Sequence, residues 1–312
     1  MDYLTANSRD ARAAAGFPGT IDLHCHSTAS DGRLTPAALV QHARAAGIDT
    51  LALTDHDTVA GLAPAAAMAR AEGLHFITGV ELSVTWSGKT LHVVGLGIDP
   101  DASSLSEVLR RVQDTRARRA ALIAARVEKL GVRNALARAQ AAAGGGQITR
   151  THFARLLVED GVAADLKQAF KKHLGAGKPA QVRGEWLALE ESVAAIRAAG
   201  GVAVLAHPLR YKLTAAWRER MLSAFVAAGG QGVEVSAGGS QQPTDLALMR
   251  EAARRYGLLG SVGSDFHGPE QRWLRYGRLA ALPHDITPVW THGALSNGRT
   301  SGATADGVRA AP

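Results

Sequence analysis

TIDLHCHS, residues 20–27, alternates the apolar residues Ile21, Leu23 and Cys25 with the polar residues Asp22, His24 and His26. A period of two marks a strand, so the histidine pair shares one face at the strand's C-terminal end. Thr35-Pro36 follows as a helix N-cap and a proline at the first helical position, opening a helix to about Ala46. DTLALT (49–54) is the next strand and 59–72 the next helix; HFITGVELSV (75–84) and TLHVVGLGI (90–98) are strands around a Ser87-Gly88 turn. Further along come a helix at 190–199, the strand GVAVLAHP (201–208), a helix at 215–228, the strand GVEVSA (232–237), a helix at 244–256 and the strand LLGSVGSDFH (258–267). Strands separated by helices imply parallel βαβ units.

Between about 104 and 175 the strand pattern almost vanishes. SLSEVLRRVQDTRARRAALIAARVEKLG reads as one long helix, Gly144–Gly146 as a break, and THFARLLVEDG and DLKQAFKKHLG as shorter helical pieces. The expected division is a barrel built from 19–99 and 180–292, a helical insertion at 100–179, and disordered tails at 1–18 and 296–312, where small and polar residues dominate.

Composition removes several classes. The 312 residues are 46% hydrophobic and 20% charged, which argues against global disorder. No apolar run approaches about 18 residues, so no membrane span is expected, and no apolar h-region near the N-terminus suggests secretion. The single cysteine, Cys25, excludes an internal disulfide framework and a cysteine-based zinc finger. A cytoplasmic protein is the expectation. Aromatic residues make up only 5%, which argues against an aromatic-rich binding surface. The formal charge is +7, and 28 of the 35 basic residues are Arg, whose fork matches phosphate.

Placed on these strands, the histidines and carboxylates converge. His24 and His26 end the first strand, Asp31 lies in the loop after it, and His56 follows the second in Thr54-Asp55-His56-Asp57. Glu81 lies near the end of the next strand and His92 on the one after; His207 ends another, and Asp265 and His267 the last. In an α/β barrel the strand C-termini open on one mouth, so these six histidines and three carboxylates meet there. A mixed nitrogen and oxygen donor set suits manganese, iron or zinc, and buried unpaired histidine is too costly for packing to explain so many.

The ordered set His24-Cys25-His26, Thr54-Asp55-His56-Asp57, Gly79-Val80-Glu81, His92, His207-Pro208 and Ser264-Asp265-Phe266-His267 resembles the polymerase and histidinol phosphatase (PHP) family, over about residues 20–290. THFARLLVEDG, FKKHLGAGKPAQV and LAHPLRY resemble one bacterial branch, the 3′,5′-nucleoside bisphosphate phosphatases and the 5′-to-3′ exoribonuclease called ribonuclease AM. The resemblance implies an α/β fold, a distorted (β/α)7 TIM-like PHP barrel with an all-helical insertion. It also implies three divalent ions, manganese foremost, with zinc or iron as alternatives. The first would take His24, His26, Glu81 and Asp265; the second would share Glu81 and add His92 and His207; the third would take Asp31, His56 and His267.

Three such ions against three carboxylates leave the site electropositive by about three charges, which would attract phosphate and stabilise charge developing on it. A water between two ions would be deprotonated near neutral pH and serve as nucleophile, leaving Cys25 a packing role. Glu81 as bridge, Asp265, His267 and Asp57 form the candidate catalytic set, with Asp57 an orienting or proton-donating neighbour of His56. Arg210, three residues after His207, is the foremost phosphate contact; Lys212, Arg116, Arg119, Lys178 and Arg278 are the others, while Lys167, Lys171 and Lys172 read as a solvated face. The expected partner is a nucleotide or short 5′-phosphorylated RNA, with no membrane and no obligate protein partner. The expected reaction is hydrolysis of the 3′ phosphoester of a 5′-phosphorylated nucleotide. Histidinol-phosphate hydrolysis, a non-catalytic nucleic-acid-binding module and C–N bond hydrolysis are the competing readings.

Overall fold

The chain, in a computed structural model, is described at residues 19–296 apart from 239–241, 272, 273 and 275. The expectations for 1–18 and for the tail beyond 296 lie outside the described residues; Ser296 itself closes a short helix, α10 (Gly293–Ser296). Eight strands form one sheet: β1 (Ile21–Asp22), β2 (Thr50–Leu53), β3 (His75–Trp86), β4 (Lys89–Leu96), β5 (Leu187–Ala188), β6 (Val202–Leu205), β7 (Gly232–Ala237) and β8 (Leu259–Gly263). Seven run in the order β1-β2-β3-β4-β6-β7-β8, with β5 added to the far end of β3. All these pairings are parallel except those of β4, which is antiparallel to β3 and β6 because the Ser87-Gly88 hairpin reverses the chain. Leu23 N donates to Val262 O at 3.0 Å and Cys25 bridges Phe266, so the first and last strands meet and the sheet nearly closes. This is the distorted barrel expected from the sequence.

Helices α1 (Pro36–Ala45), α2 (Leu62–Glu72), α7 (Leu189–Ala198), α8 (Ala215–Ala227) and α9 (Pro243–Tyr256) alternate with the strands. Thr35 caps α1, its Oγ1 accepting from Ala38 N at 3.2 Å with Pro36 in the first turn. Ile77, Val94, Leu96, Val202 and Val204 form one apolar cluster with Val289 and Trp290. Ile77 shares its strand face with Glu81, and Val94 with His92, so this cluster lies on the same side of the sheet as the polar mouth. A larger cluster joins the opposite faces to the helices, through Leu51, Leu82, Val84, Leu91, Val193 and Phe225 among others.

The regular elements between 103 and 174 are all helical: α3 (Ser103–Glu128), α4 (Ala135–Ala143), α5 (Arg150–Glu159) and α6 (Leu166–Ala169), the last widening into a π turn at Phe170–Leu174. The first half of α3, through Leu105, Leu109 and Val112, packs in the large barrel cluster. Its second half, through Ile123, Ala124 and Val127, joins Phe153, Leu157 and Leu174 in a separate core.

The regular pairing of the first strand is shorter than TIDLHCHS suggests, ending at Asp22. Beyond it several backbone donors turn to carboxylates: His24 N and Ser264 N to Asp22 Oδ1 at 3.2 and 2.8 Å, and Ser27 N to Asp55 Oδ1 at 2.8 Å. Side-chain acceptors thus replace much of the ladder where the chain must present ligating side chains.

Candidate metal centre

Glu81, fully buried on β3, stands at the middle of the mouth. Its two oxygens face different partners. Oε1 lies 2.9 Å from His92 Nδ1 and 2.9 Å from His207 Nε2. Oε2 lies 3.3 Å from His24 Nε2, 3.3 Å from His26 Nε2 and 2.8 Å from His56 Nδ1. Asp265 Oδ1 is 3.0 Å from His26 Nε2 and 3.5 Å from His24 Nε2. On the outer side His267 Nε2 is 3.3 Å and His56 Nε2 3.9 Å from Asp31 Oδ1.

All nine residues expected from the sequence therefore meet. The donor atoms of eight of them fall into three groups of metal-binding dimensions: His24, His26, Glu81 and Asp265; His56, Glu81 and His92; and His26, Asp31, His56 and His267; His207 belongs to none of the three and reaches only Glu81 Oε1, at 2.9 Å. The first matches the expected set, while His26 and His56 each also reach a neighbouring group. Several atoms here are buried without a hydrogen-bond partner, namely Asp31 Oδ1, His56 Nδ1, Glu81 Oε2 and His207 Nδ1. His24 Nε2 and His26 Nε2 face each other at 3.1 Å. Converging lone pairs and unpaired buried carboxylate oxygens are what a cation would satisfy, so the residues fit divalent metal.

The electrostatics agree. Burial pushes His26 well below its usual range, helped by the charges of His267 and His56. Burial likewise lowers His207, and takes His92 down to about 4 against the pull of Glu81. These are imidazoles held neutral, the ligating form. Burial alone would raise Glu81 and Asp31; the histidines around them outweigh it and hold both carboxyls well below the ordinary range. His24 goes the other way: against burial, Glu81 and Glu234 raise it to about 10.

Backbone conformation places these groups. His207, Asp57 and Asp265 have φ of 30°, 52° and 54°. The left-handed region is sparsely used by non-glycine residues, and three such positions at strand ends re-aim side chains across the mouth. Gly263 is required by proximity, since a Cβ there would lie 2.4 Å from His24 Cβ and 2.8 Å from Glu234 Oε1.

Glu234 was not among the residues singled out from the sequence. It is buried on β7, accepting His24 Nδ1–H at 2.6 Å and His207 N–H at 2.6 Å, and so fixes the ring orientation of one ligand and the backbone of another. Its signal was present: a carboxylate inside the apolar strand GVEVSA needs a partner. Asp55 was another, accepting from Ser27 Oγ and Ser30 Oγ, each at 2.6 Å.

Two of the expected site residues pair with each other. Asp57, grouped with the catalytic side chains, is fully buried; Oδ1 accepts Ser83 N at 2.7 Å and Oδ2 accepts Arg116 Nε at 2.7 Å. Both its oxygens are engaged, so it has no free face for a substrate. Arg116, expected on the substrate, is the other half of that pair and also donates to Ser83 Oγ at 3.2 Å. Arg119, three residues on, is bonded to Val182 O at 2.9 Å and stacks toward Trp186, with Arg150 and Arg116 close by. Arg210 is exposed and donates to Asp265 Oδ2 at the edge of the centre. The side chains of Lys212, Lys178 and Arg278 are exposed and make no hydrogen bond or ion pair among the described residues. Cys25 is buried, its Sγ–H donating to Ala52 O at 3.1 Å, in the packing role expected.

The helical segment touches the centre directly. Thr149 Oγ1 donates to Asp31 Oδ2 at 2.9 Å, Arg155 Nη2 to Asp31 O at 2.9 Å, and Gln147 N to Ala29 O at 2.9 Å. Gly146 permits this approach, because a Cβ would stand 2.3 Å from Thr28 O.

The model of the PHP domain matches residues 22–172. A 5′-3′ exoribonuclease of Haemophilus influenzae is 43% identical over 269 residues, covering 86% of this chain and 97% of the relative. This chain belongs to the PHP family. A 3′,5′-nucleoside bisphosphate phosphatase of Chromobacterium violaceum is 44% identical to this PHP protein, over 86% of this chain and 95% of the relative. Among solved structures, an amidohydrolase from Chromobacterium violaceum, with bound sulfate and no metal, superposes with a TM-score of 0.82 at 43% identity, covering 87% of this chain and 94% of that one. A metal-dependent phosphoesterase from Bifidobacterium adolescentis gives a TM-score of 0.73 at 29% identity, over 87% of this chain and 93% of that one. No helix among the described residues is long and apolar enough to cross a membrane.

Proposed function

We propose that this PHP protein hydrolyses the 3′ phosphoester of 5′-phosphorylated nucleotides. It would convert 3′,5′-nucleoside bisphosphates to 5′-monophosphates and phosphate, and release 5′-mononucleotides stepwise from short 5′-phosphorylated RNA. The observation that carries the reading is the split carboxylate of Glu81, with one oxygen facing His92 and His207 and the other His24, His26 and His56. We assign the nine ligating residues to three divalent ions, manganese foremost. Bound there, the ions supply positive charge against the phosphate and lower the pKa of the attacking water. Glu234 holds His24 and the His207 backbone in place, and Arg210 reaches a phosphate from the open side.

The segment 100–179 acts as a cap that limits the pocket to a chain end, and it brings cations with it. Arg150, at the start of α5, makes no hydrogen bond or ion pair among the described residues; it packs over the Phe170 ring at 5.7 Å beside Arg116 and Arg119. Burial, then Arg150 and Arg116, push Arg119 down to about 9. Arg119 and Arg150, like charges held together with no ion pair of their own, suit a second, non-transferred phosphate. The relatives named exoribonuclease and bisphosphate phosphatase support the same substrate class, and a cytoplasmic setting suits it.

The test incubates the purified protein and Mn²⁺ with 3′,5′-bisphosphoadenosine and, separately, a 5′-phosphorylated RNA trinucleotide, with products resolved by chromatography. Adenosine 5′-monophosphate from the first and stepwise mononucleotides from the second are expected. Loss of the 5′-phosphate instead, or turnover of neither substrate, would overturn the reading.

A further inference from the structure

The chain has five tryptophans, and two of them, Trp86 and Trp217, meet at the outer end of the β3–β4 hairpin, where the backbone of a third, Trp186, also joins β3. Trp186 N donates to Thr85 Oγ1 at 3.1 Å, and the rings of Trp86 and Trp217 meet edge to face at 5.7 Å. Trp86 and Trp186 lean on the large apolar cluster. Trp217 packs with none of the apolar clusters, so core packing does not account for a half-buried indole at that position.

Its surroundings are cationic. Lys89 Nζ lies 4.9 Å and Arg220 Cζ 4.6 Å from the Trp217 ring centre. Neither side chain has a hydrogen bond or a carboxylate partner among the described residues. The neighbouring acid, Glu219, is already engaged by Arg255 at 3.0 Å and by Tyr256 Oη at 2.8 Å. Beside them opens a pocket of about 490 Å³ whose lining includes Trp86, Ser87, Arg220, Arg255 and Tyr256 together with Glu219, the carboxylate that Arg255 already holds.

A continuous stretch of chain joins this surface to the metal centre. The segment leaving the centre at His207 carries Arg210 against Asp265, then exposed Lys212, then Trp217 on the first turn of α8, where Thr214 Oγ1 accepts Trp217 N at 3.4 Å. On the other side Lys89 stands three residues from His92 along β4, roughly 10 Å at strand rise.

We infer that Trp217, with Lys89, Arg220 and Lys212, binds the 3′-ward continuation of a single-stranded polynucleotide whose 5′ end occupies the metal centre. This rests on the proposed function and deepens it by naming what holds the polymer. An indole face stacks on any base, and unpaired Lys and Arg track the phosphates, the combination that serves sequence-tolerant single-strand binding. A free bisphosphate has nothing to place there, so the surface separates polymer from monomer.

The experiment compares wild type, Trp217→Ala, Trp217→Phe and Lys89→Ala/Arg220→Ala in Mn²⁺. Dissociation constants are measured by anisotropy on a 5′-phosphorylated RNA octamer whose first linkage is a non-hydrolysable methylphosphonate, and kcat/KM on the cleavable octamer and on 3′,5′-bisphosphoadenosine. Trp217→Ala should weaken octamer binding and raise its KM roughly 5- to 100-fold. It should leave bisphosphate turnover within about twofold, while Trp217→Phe retains most of the binding. The double variant should flatten the salt dependence by about 0.7 per lost phosphate contact. Octamer affinity unchanged in Trp217→Ala, or equal loss on octamer and bisphosphate, overturns the inference. Turnover of neither substrate by the wild type would refute the phosphoesterase reading instead, with the binding comparison still deciding the role of Trp217.

Discussion

Replacing Asp57 by Asn tests whether this carboxylate is structural. The residue is fully buried, and Arg116 opposite it is 6% exposed. Asn retains the Oδ1 acceptor for Ser83 N and tolerates the φ of 52°, so the substitution removes little but the charge. Arg116 cannot swing out, because Ser83 Oγ holds it at 3.2 Å and Trp186 stacks at 5.2 Å. At an effective dielectric of about 20 a contact pair is worth about 4 kcal/mol, and breaking a buried pair costs about 3–5 kcal/mol because the surviving charge stays desolvated. Asp57→Asn should therefore lower the unfolding midpoint on the order of 10 °C, with urea unfolding giving the matching free-energy loss. Arg116→Met should cost a similar amount. The double variant should cost less than the sum of the two by about 2 kcal/mol, since an unpaired charge no longer remains. Turnover should fall only as far as His56 is displaced, with the shape of the pH profile unchanged. A loss below about 1 kcal/mol, strict additivity, or abolished turnover at an unchanged midpoint would refute this account; the last would restore Asp57 as a proton donor.

Glu81→Gln should lower kcat by orders of magnitude and reduce bound manganese, measured by elemental analysis, while circular dichroism stays native. Glu234→Gln should weaken metal affinity or activity about 10- to 100-fold by freeing the His24 ring, read from metal titrations and from kcat at saturating Mn²⁺. Burial lowers His152 to about 4, so the unfolded chain binds more protons than the folded one between pH 6.5 and 4. Stability in EDTA should thus fall as pH drops through that window, by up to about 3 kcal/mol from this group. His152→Gln, which can still accept from Thr149 N, should make the loss shallower; an unchanged slope would contradict the assignment.

The convergence of histidines and carboxylates at the mouth was legible in the sequence because strand period is local. His24 and His26 two apart must share a face, and Glu81, His92, His207 and Asp265 each lie on or just beyond strands that local patterning marks out. The barrel order follows from the alternation of strand and helix, and the helical segment from its absence between 104 and 175. Cys25 between two ligands had to point away from them by the same rule, and it does.

What required the tertiary structure are relations between residues far apart in the chain. Arg116 and Asp57 are 59 positions apart, and nothing local distinguishes an arginine that neutralises a buried aspartate from one that awaits a phosphate. Glu234 carried a signal, an acid in an apolar strand, but its task depends on His24, 210 positions away. Trp86 and Trp217, far apart in the chain, meet at one hairpin end although the composition is aromatic-poor. The sequence by itself determined which chemical groups reach the mouth, because periodicity sets the face each side chain takes. Only the folded chain decided which oxygen of Glu81 meets which imidazole, since that depends on packing between strands and on three left-handed turns that no local pattern announces.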